Sequence, residues 1–345
     1  MKVNGQEFVI IGENVHTTRI LLRKGKRVTN RPDGAEAVEY ADTDGTPRYL
    51  VIPEFIKKTR DYDEGRVKHV KIAVLAAMSG VAPEADEGLV YIQRLVERQL
   101  AAGADFLDLN VDEVSLDLNE QKAAMRWLVE TVEPISSVPL SVDSSNIEII
   151  EAGLQTYKGS NGRTILNSAS LERVEALDLA KQYDARVIAT AAGKSGMPQD
   201  TAERIANASQ MVDTAVAKGI PLHDIFVDPL VFPISVDSQY GNHCLDAIRQ
   251  LREKYGPEIH ITGGFSNVSF GLPCRHLIND VFIILAVDAG ADAGIVDPVA
   301  SPMTKTFAID RNAAPVTIAE RMLTGHDQFC ADFLTAFRKG ELKMG

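Results

Sequence analysis

Eight short apolar segments alternate with helical patterns along this chain, and that alternation constrains the fold more than any other feature of the sequence. After the first segment, the strands recur at roughly the 30-residue spacing of β-strand and α-helix units. Uninterrupted apolar strands are typical of parallel sheets that are buried on both faces. Strands are predicted at residues 7–11, 105–111, 139–143, 164–167, 186–191, 225–228, 259–262 and 293–296.

Helices fill the intervals between these strands. They are predicted at residues 84–102, 119–135, 146–157, 171–183, 200–218, 243–255 and 274–289, with two more in the tail at 317–323 and 327–339. Eight parallel units of this kind close into a TIM (β/α)8 barrel, which is the predicted fold. The structural alternative is a doubly wound open sheet. That fold usually carries a G-x-G-x-x-G turn after its first strand, where this chain has Gly12-Glu13-Asn14.

A single domain is expected over residues 1–345, because nothing in the barrel pattern requires a second. Two segments depart from the repeat: an insertion or lid at residues 17–82, after the first strand, and C-terminal helices within residues 300–345. The insertion contains turn signals around short strand-like pieces and is locally basic. A structural lid, a dimer arm and a basic binding surface all stay open as its role.

The charge balance narrows the class of partner. The net charge is −12, with 36 Lys and Arg against 48 Asp and Glu, which argues against nucleic acid because phosphate binding needs clustered cations. The three cysteines are scattered and are expected to be free thiols in a reducing compartment. No apolar run is long enough for a membrane span or a signal peptide, so a cytoplasmic protein with no membrane association is expected.

Polar side chains gather where the predicted strands end, which is where the active site of a TIM barrel lies. Each could be a turn or cap residue when taken alone. Together they suit a planar heterocycle such as a pterin, because a carboxylate accepts two parallel N–H bonds and an asparagine matches a carbonyl beside an N–H. Few are His or Cys, so no metal site is predicted. They include Glu13, Asp108, Asn110, Asp143, Asn167, Asp228, Ser266 and Asn267.

Several motifs in this order and spacing give the chain a resemblance to the pterin-binding methyltransferases. That family includes methyltetrahydrofolate:corrinoid iron–sulfur protein methyltransferase and the folate domain of cobalamin-dependent methionine synthase. The resemblance implies a TIM barrel of the dihydropteroate synthase-like type. The motifs are IGEN at residues 11–14, LDLNV at 107–111, AMRWLVE at 124–130, VDSSN at 142–146, ILN at 165–167, GKSGMP at 193–198, DPL at 228–230 and GGFSNVSFGLPCRHLIN at 263–279.

The resemblance also implies roles for particular residues. Asp143, Asn167 and Asp228 would hold the pterin ring, with Asp108 and Asn110 in or behind the same pocket. The implied catalytic residue is Asn267, which would assist at the methyl-bearing N-5 nitrogen of the folate as the bond to the methyl group breaks. Further substrate-binding candidates, at a strand end or in the loop that contains Asn267, are Glu13, Ser266 and Arg275.

The implied reaction moves a methyl group between tetrahydrofolate and the cobalt of a corrinoid, free or protein-bound. The corrinoid would be supplied in trans by a transiently bound protein, and a homodimer is expected from the resemblance alone. One hypothesis for the insertion is that Lys24, Lys26 and Arg27 meet the folate glutamate tail or an acidic corrinoid protein. Two alternatives stay open: an enzyme like dihydropteroate synthase, and a folate-binding subunit without catalysis. The sequence leaves the direction of transfer and the upstream methyl donor undetermined.

Overall fold

The computed structural model describes residues 1–3 and 6–342, and it confirms the predicted TIM barrel. The barrel strands are hydrogen-bonded in the order β7-β6-β5-β4-β3-β2-β1-β8. The sheet closes where β8 meets β7, because the Ile295 N–H donates to the Gly263 carbonyl at 3.0 Å. The strands β1 to β8 are Val9–His16, Phe106–Asn110, Leu140–Asp143, Ile165–Ala169, Arg186–Thr190, Ile225–Asp228, His260–Ile261 and Ala293–Val296.

The predicted bounds are right for β6 and β8 and wrong for β1. That strand was expected over residues 7–11 but continues to His16. The apolar run ends at Ile11, yet Glu13 and Asn14 are also buried, and the Asn14 N–H donates to the Gln99 side chain at 3.0 Å. Buried polar residues therefore extend a strand beyond the point where an apolar pattern can predict it.

The described residues form two compact units. The insertion unit comprises residues 13–101 and 106–164, and the C-terminal unit comprises residues 1–12, 102–105 and 165–345. The single domain over residues 1–345, with its lid at 17–82, stays a prediction. Residues 4–5 and 343–345, which that range includes, lie outside the described part of the chain.

The insertion unit contains β2, β3, the end of β1 and a small antiparallel sheet. That sheet has three strands, Val28–Asn30, Glu36–Ala41 and Pro47–Val51. A second antiparallel pair joins Leu21–Leu22 to Arg66–Val67. The α-helices of this unit are Glu54–Lys57, Arg60–Asp63, His69–Ser79, Glu84–Ala101, Leu118–Val132 and Ile147–Thr156. A 3-10 turn, Glu133–Ile135, follows Leu118–Val132.

The helix His69–Ser79 was not predicted. Its sequence, HVKIAVLAAMS, is apolar on nearly every side, so it lacks the amphipathic period that identifies a surface helix. It packs directly against Glu84–Ala101 at Gly88, where an added Cβ would lie 2.5 Å from the Ala73 carbonyl oxygen. Only glycine permits this approach of the two helices.

The buried face of Glu84–Ala101 differs in part from the one that its apolar spacing predicts. That spacing places Leu89, Ile92, Leu95, Val96 and Leu100 on one face, but Leu89 and Leu100 are only half-buried. Tyr91 and Gln99 are buried instead. The Tyr91 hydroxyl lies 2.8 Å from Nδ1 of His69 in the inserted helix, whereas the Gln99 side chain accepts from the Asn14 N–H of β1.

The C-terminal unit contains β4 to β8 and an antiparallel pair of short strands, Lys2–Val3 and Gln6–Glu7. The helix predicted at 171–183 begins later, because residues 170–176 form successive turns, such as Arg173 N–H to Ser170 carbonyl at 2.9 Å. The α-helices of the C-terminal unit are Ala176–Gln182, Thr201–Ala217, Tyr240–Tyr255, Arg275–Ala289, Met303–Thr306, Ala314–Leu323 and Ala331–Lys339. Its 3-10 turns are Leu222–Asp224, Gly256–Glu258, Phe265–Ser269 and Gln328–Cys330. Among the described residues, no helix combines the length and the apolar character needed to cross a lipid bilayer.

Candidate active site

In the insertion unit, the ends of β1, β2 and β3 bring four polar side chains together. His16 Nε2 lies 2.9 Å from Asp108 Oδ2, and the Asn110 side-chain amide donates to Asp143 Oδ2 at 2.9 Å. Asp108 and Asn110 alternate with apolar residues along β2, so both point to the same face of the strand. Asp108 is fully buried and Asn110 nearly so. The predicted residues Asp108, Asn110 and Asp143 therefore form one cluster.

The charges in this cluster influence one another. Burial raises the pKa of Asp143 well above its ordinary value, and the negative charge of Asp108 raises it further; His16 and the hydrogen bond from Asn110 oppose this only in part. Burial lowers the pKa of His16, but its hydrogen bond to Asp108 and the nearby carboxylates outweigh that effect and leave the pKa raised. The imidazolium therefore offsets part of the negative charge of the two aspartates.

Glu13 lies in the same part of β1, three residues before its end, and is held by Arg19, whose Nη1 donates to Glu13 Oε1 at 3.0 Å. The cluster also has metal-ligand spacing, because one ligand atom each from His16, Asp108 and Asp143 lie within 4.8 Å of one another. Hydrogen bonds already engage all three of these side chains.

In the C-terminal unit, Asp228 ends β6 with only 8% of its surface exposed. Its Oδ1 accepts a hydrogen bond from the Leu230 N–H at 2.7 Å. Burial raises the pKa of Asp228 to about 6, while the bond from Leu230 and the charge of Arg204 lower it in part. Arg204 is itself fully buried and donates to the Leu230 and Asp200 carbonyls, so it supports the backbone around Asp228.

Asn267 lies in the 3-10 turn Phe265–Ser269 that follows β7. An added Cβ at Gly264 would lie 3.0 Å from the Asn267 side-chain nitrogen, so the amide folds back over a residue that has no side chain. Arg275 clamps the turn from outside: Nη2 donates to the Ser266 carbonyl and Nε donates to Ser269 Oγ, each at 2.9 Å. Ser266 and Arg275 thus frame the loop that presents Asn267.

Asn167 completes the predicted set. It lies in β4, where it is buried and pairs in register with Ile188 of β5. Thr190, at the end of β5, pairs in the same way with Asp228 and is also buried. The C-terminal unit therefore presents a carboxylate, an amide and a hydroxyl on three adjacent strands.

Two residues of these surroundings were not predicted from the sequence. His16 was not predicted as a site residue because the first strand was expected to end at Ile11. In a longer strand, Asn14 and His16 are two residues apart and point to the same face, and that spacing is the signal that would have identified His16. Arg204 lies within a helical pattern, where an arginine is normally taken as solvent-exposed, and nothing in the sequence indicates its burial.

Comparisons with known proteins show the family of this chain. Residues 89–297 match the family model described as pterin binding enzyme. The chain is 28% identical to methylcorrinoid:tetrahydrofolate methyltransferase of Eubacterium limosum, over 75% of this chain and 90% of that protein. It is 28% identical to methionine synthase of Mycobacterium leprae over 68% of this chain, which spans 20% of that protein. A structure of dihydropteroate synthase from Xanthomonas albilineans matches with a TM-score of 0.51 at 20% identity, covering 67% of this chain and 85% of that one, and shows the fold alone.

A TIM barrel with buried carboxylates and amides at its strand ends defines a class of enzymes that bind small polar molecules at that rim. Within that class, this chain belongs to the pterin-binding enzyme family, because the family match spans more than half of its residues. The family inferred from the motifs and the prediction that the chain is an enzyme are both confirmed.

Proposed function

We propose that this enzyme transfers a methyl group between the N-5 nitrogen of tetrahydrofolate and the cobalt of a corrinoid. The observation that carries the proposal is the set of buried aspartates and asparagines at the strand ends, which offers paired acceptors for the N–H groups of a pterin edge. The named relative from Eubacterium limosum supports the reaction class, since the alignment covers 90% of its length.

The pterin ring would be held by Asp143, Asn167 and Asp228. A carboxylate that accepts an N–H of the ring forms a charge-assisted bond worth roughly 1.5–3 kcal/mol. Burial raises the pKa of both Asp143 and Asp228, so ionising them without a ligand is unfavourable, and the N–H donors of a pterin would relieve that penalty. Asp108 and Asn110 would orient Asp143 from behind.

Asn267 would act at the methyl-bearing nitrogen. A tertiary amine is a poor leaving group unless its developing charge is stabilised, and an amide N–H placed there supplies this stabilisation. Gly264 leaves the amide free to turn, while Arg275 and Ser266 hold the surrounding loop in shape. Glu13, fixed by Arg19, is proposed as a further contact to the substrate.

The corrinoid would supply the cobalt that takes or gives the methyl group. We further propose that a separate corrinoid protein presents it transiently, that the enzyme works in the cytoplasm, and that it forms a homodimer. Phe329, which is 89% exposed near the C-terminus, is one apolar side chain that such a contact would cover. Size-exclusion chromatography with light scattering tests the dimer, and a purely monomeric protein would exclude it.

The test of the reaction is an anaerobic assay of the cobalt absorption bands. The enzyme is mixed with methyltetrahydrofolate and cob(I)alamin, and in a second arm with methylcob(III)alamin and tetrahydrofolate. We expect turnover in at least one direction. In Asn267→Ala, turnover should fall on the order of 100-fold while folate binding, measured by calorimetry, stays near that of the parent.

The matched control is Asn161→Ala. Asn161 lies in the loop before β4, where its side-chain amide donates to the Glu133 carbonyl at 3.1 Å. It is not among the residues proposed to contact the substrate, so its replacement should leave turnover unchanged. Folate binding without turnover, even with corrinoid proteins, would favour a non-catalytic subunit. Condensation of a pterin diphosphate with 4-aminobenzoate would instead identify an enzyme like dihydropteroate synthase. A protein that binds no folate would overturn the proposal.

A further inference from the structure

A cavity of about 540 Å³ lies within the insertion unit, between the three-stranded sheet and the helix Glu84–Ala101. Four cations line it, Lys26 and Arg27 from the insertion and Arg94 and Arg98 from the helix, against one carboxylate, Glu39. We call it the basic cavity. Such an excess of positive charge is unusual in a chain whose net charge is −12.

Several cations elsewhere in the insertion unit are paired with carboxylates. Arg48 bonds to Asp42 and Glu87, and Lys68 bonds to Asp61 and Glu113. These pairs offset part of the positive charge of the insertion internally.

The basic cavity is different. Arg27 donates to the Tyr91 hydroxyl at 2.7 Å and to the Glu39 carbonyl, both uncharged groups. Within the described chain, Lys26 and Arg98 form no ion pair. Arg94 reaches Glu97, but its Nε is buried without a hydrogen-bond partner, in a side chain that is 18% exposed. Among the described residues, three of the four cations of the basic cavity therefore form no ion pair, and the fourth, Arg94, is paired with Glu97.

The arrangement also selects a type of ligand. Arg94 and Arg98 are four residues apart, so their like charges lie on one face of the helix and repel each other unless an anion lies between them. Guanidinium groups bind phosphate oxygens in pairs through their planar fork. Part of the lining is apolar, with Pro47 and Leu95, and the volume falls within the range of roughly 300–1,000 Å³ of small-molecule sites.

We propose that the basic cavity binds a phosphate-bearing organic molecule of nucleotide size. The four cations would neutralise a diphosphate, and the apolar lining would contact its organic part. None of the residues proposed for the pterin lines this cavity. The site is thus separate from the methyl-transfer chemistry, and it gives Lys26 and Arg27 a role other than contact with a folate tail or a corrinoid protein.

Calorimetry on the full-length protein tests this with ADP, pyrophosphate, inorganic phosphate and a γ-linked oligoglutamate. We expect ADP to bind more tightly than inorganic phosphate, with an affinity that falls as salt rises. In the double variant Arg94→Gln/Arg98→Gln, ADP affinity should fall at least tenfold. The control is Arg126→Gln, an exposed arginine of helix Leu118–Val132, which should bind ADP as the parent does.

Methyltetrahydrofolate binding and the thermal unfolding midpoint are measured on each variant. Both should be unchanged, which separates this proposal from the proposed function and excludes misfolding. Absence of ADP and pyrophosphate binding to the parent, or an equal loss in Arg126→Gln, would overturn the proposal. Equal affinity for ADP and inorganic phosphate would contradict the proposal that the ligand is of nucleotide size. Tighter binding of oligoglutamate than of ADP would show that the cavity binds a polycarboxylate and not a phosphate.

Discussion

The Asp228 carboxylate is buried at the end of β6 and accepts one hydrogen bond from within the described chain, donated by the Leu230 N–H. Burial raises its pKa from the ordinary 3.8 to about 6. Replacing it by asparagine keeps an acceptor oxygen for Leu230 but removes the charge that must be desolvated. We therefore expect Asp228→Asn to stabilise the ligand-free protein at neutral and alkaline pH.

The pKa also gives the size and the pH window of this effect. The carboxylate ionises near 3.8 in the unfolded chain and near 6 in the folded one, so it favours folding at acidic pH and this contribution is lost as the pH rises from about 4 to 6. One pH unit corresponds to about 1.4 kcal/mol. The free energy of unfolding of the variant should therefore exceed that of the parent by about 3 kcal/mol near pH 8 and by nothing below about pH 4.

The assay is urea unfolding followed by circular dichroism at the two pH values. The matched control is Asp327→Asn, another buried aspartate, whose oxygens accept from the Asp332 and Phe333 N–H groups at 2.9 Å each. It should gain no stability, because asparagine has only one side-chain acceptor oxygen and therefore loses one of these two hydrogen bonds. Calorimetry with methyltetrahydrofolate should show that Asp228→Asn loses at least about tenfold in affinity, equivalent to one charge-assisted hydrogen bond.

Equal stability of Asp228→Asn and the parent near pH 8 would refute the electrostatic argument, as would a gain that persists near pH 4. A variant that is stabilised as expected but binds folate normally would keep that argument and remove Asp228 from the pterin contacts. Only a variant that is more stable and binds less well has the signature of a residue retained for binding at the expense of stability.

Two further predictions test other parts of the chain. Gly241→Ala should lower the free energy of unfolding by about 1–3 kcal/mol, measured in urea, because its Cβ would lie 2.0 Å from the Leu323 carbonyl oxygen; wild-type stability would show that the two segments move apart easily. His16→Gln should shift the pH profile of folate binding to higher pH, because without the imidazolium the charge of Asp108 raises the pKa of Asp143 further; an unshifted profile would contradict this.

Much of the barrel could be predicted because each strand is a local signal. An apolar run followed by a turn residue marks a buried parallel strand wherever it lies, and β6 and β8 were located to the residue in this way. The same local signals fail where burial does not follow polarity. The helix His69–Ser79 is apolar on nearly all sides, and the end of β1 is buried although it is polar.

The sequence by itself determined the alternation of strands and helices, the polar residues at the strand ends and the family. Only the tertiary structure decided which side chains meet. His16 contacts Asp108 across 92 positions of the chain, and Arg27 contacts Tyr91 across 64. The first contact joins two barrel strands, and the second joins the insertion to helix Glu84–Ala101, whose packing depends on details as small as the lack of a side chain at Gly88. Charge and burial at a site follow from those contacts, because desolvation and Coulomb interactions depend on distance in space and not along the chain.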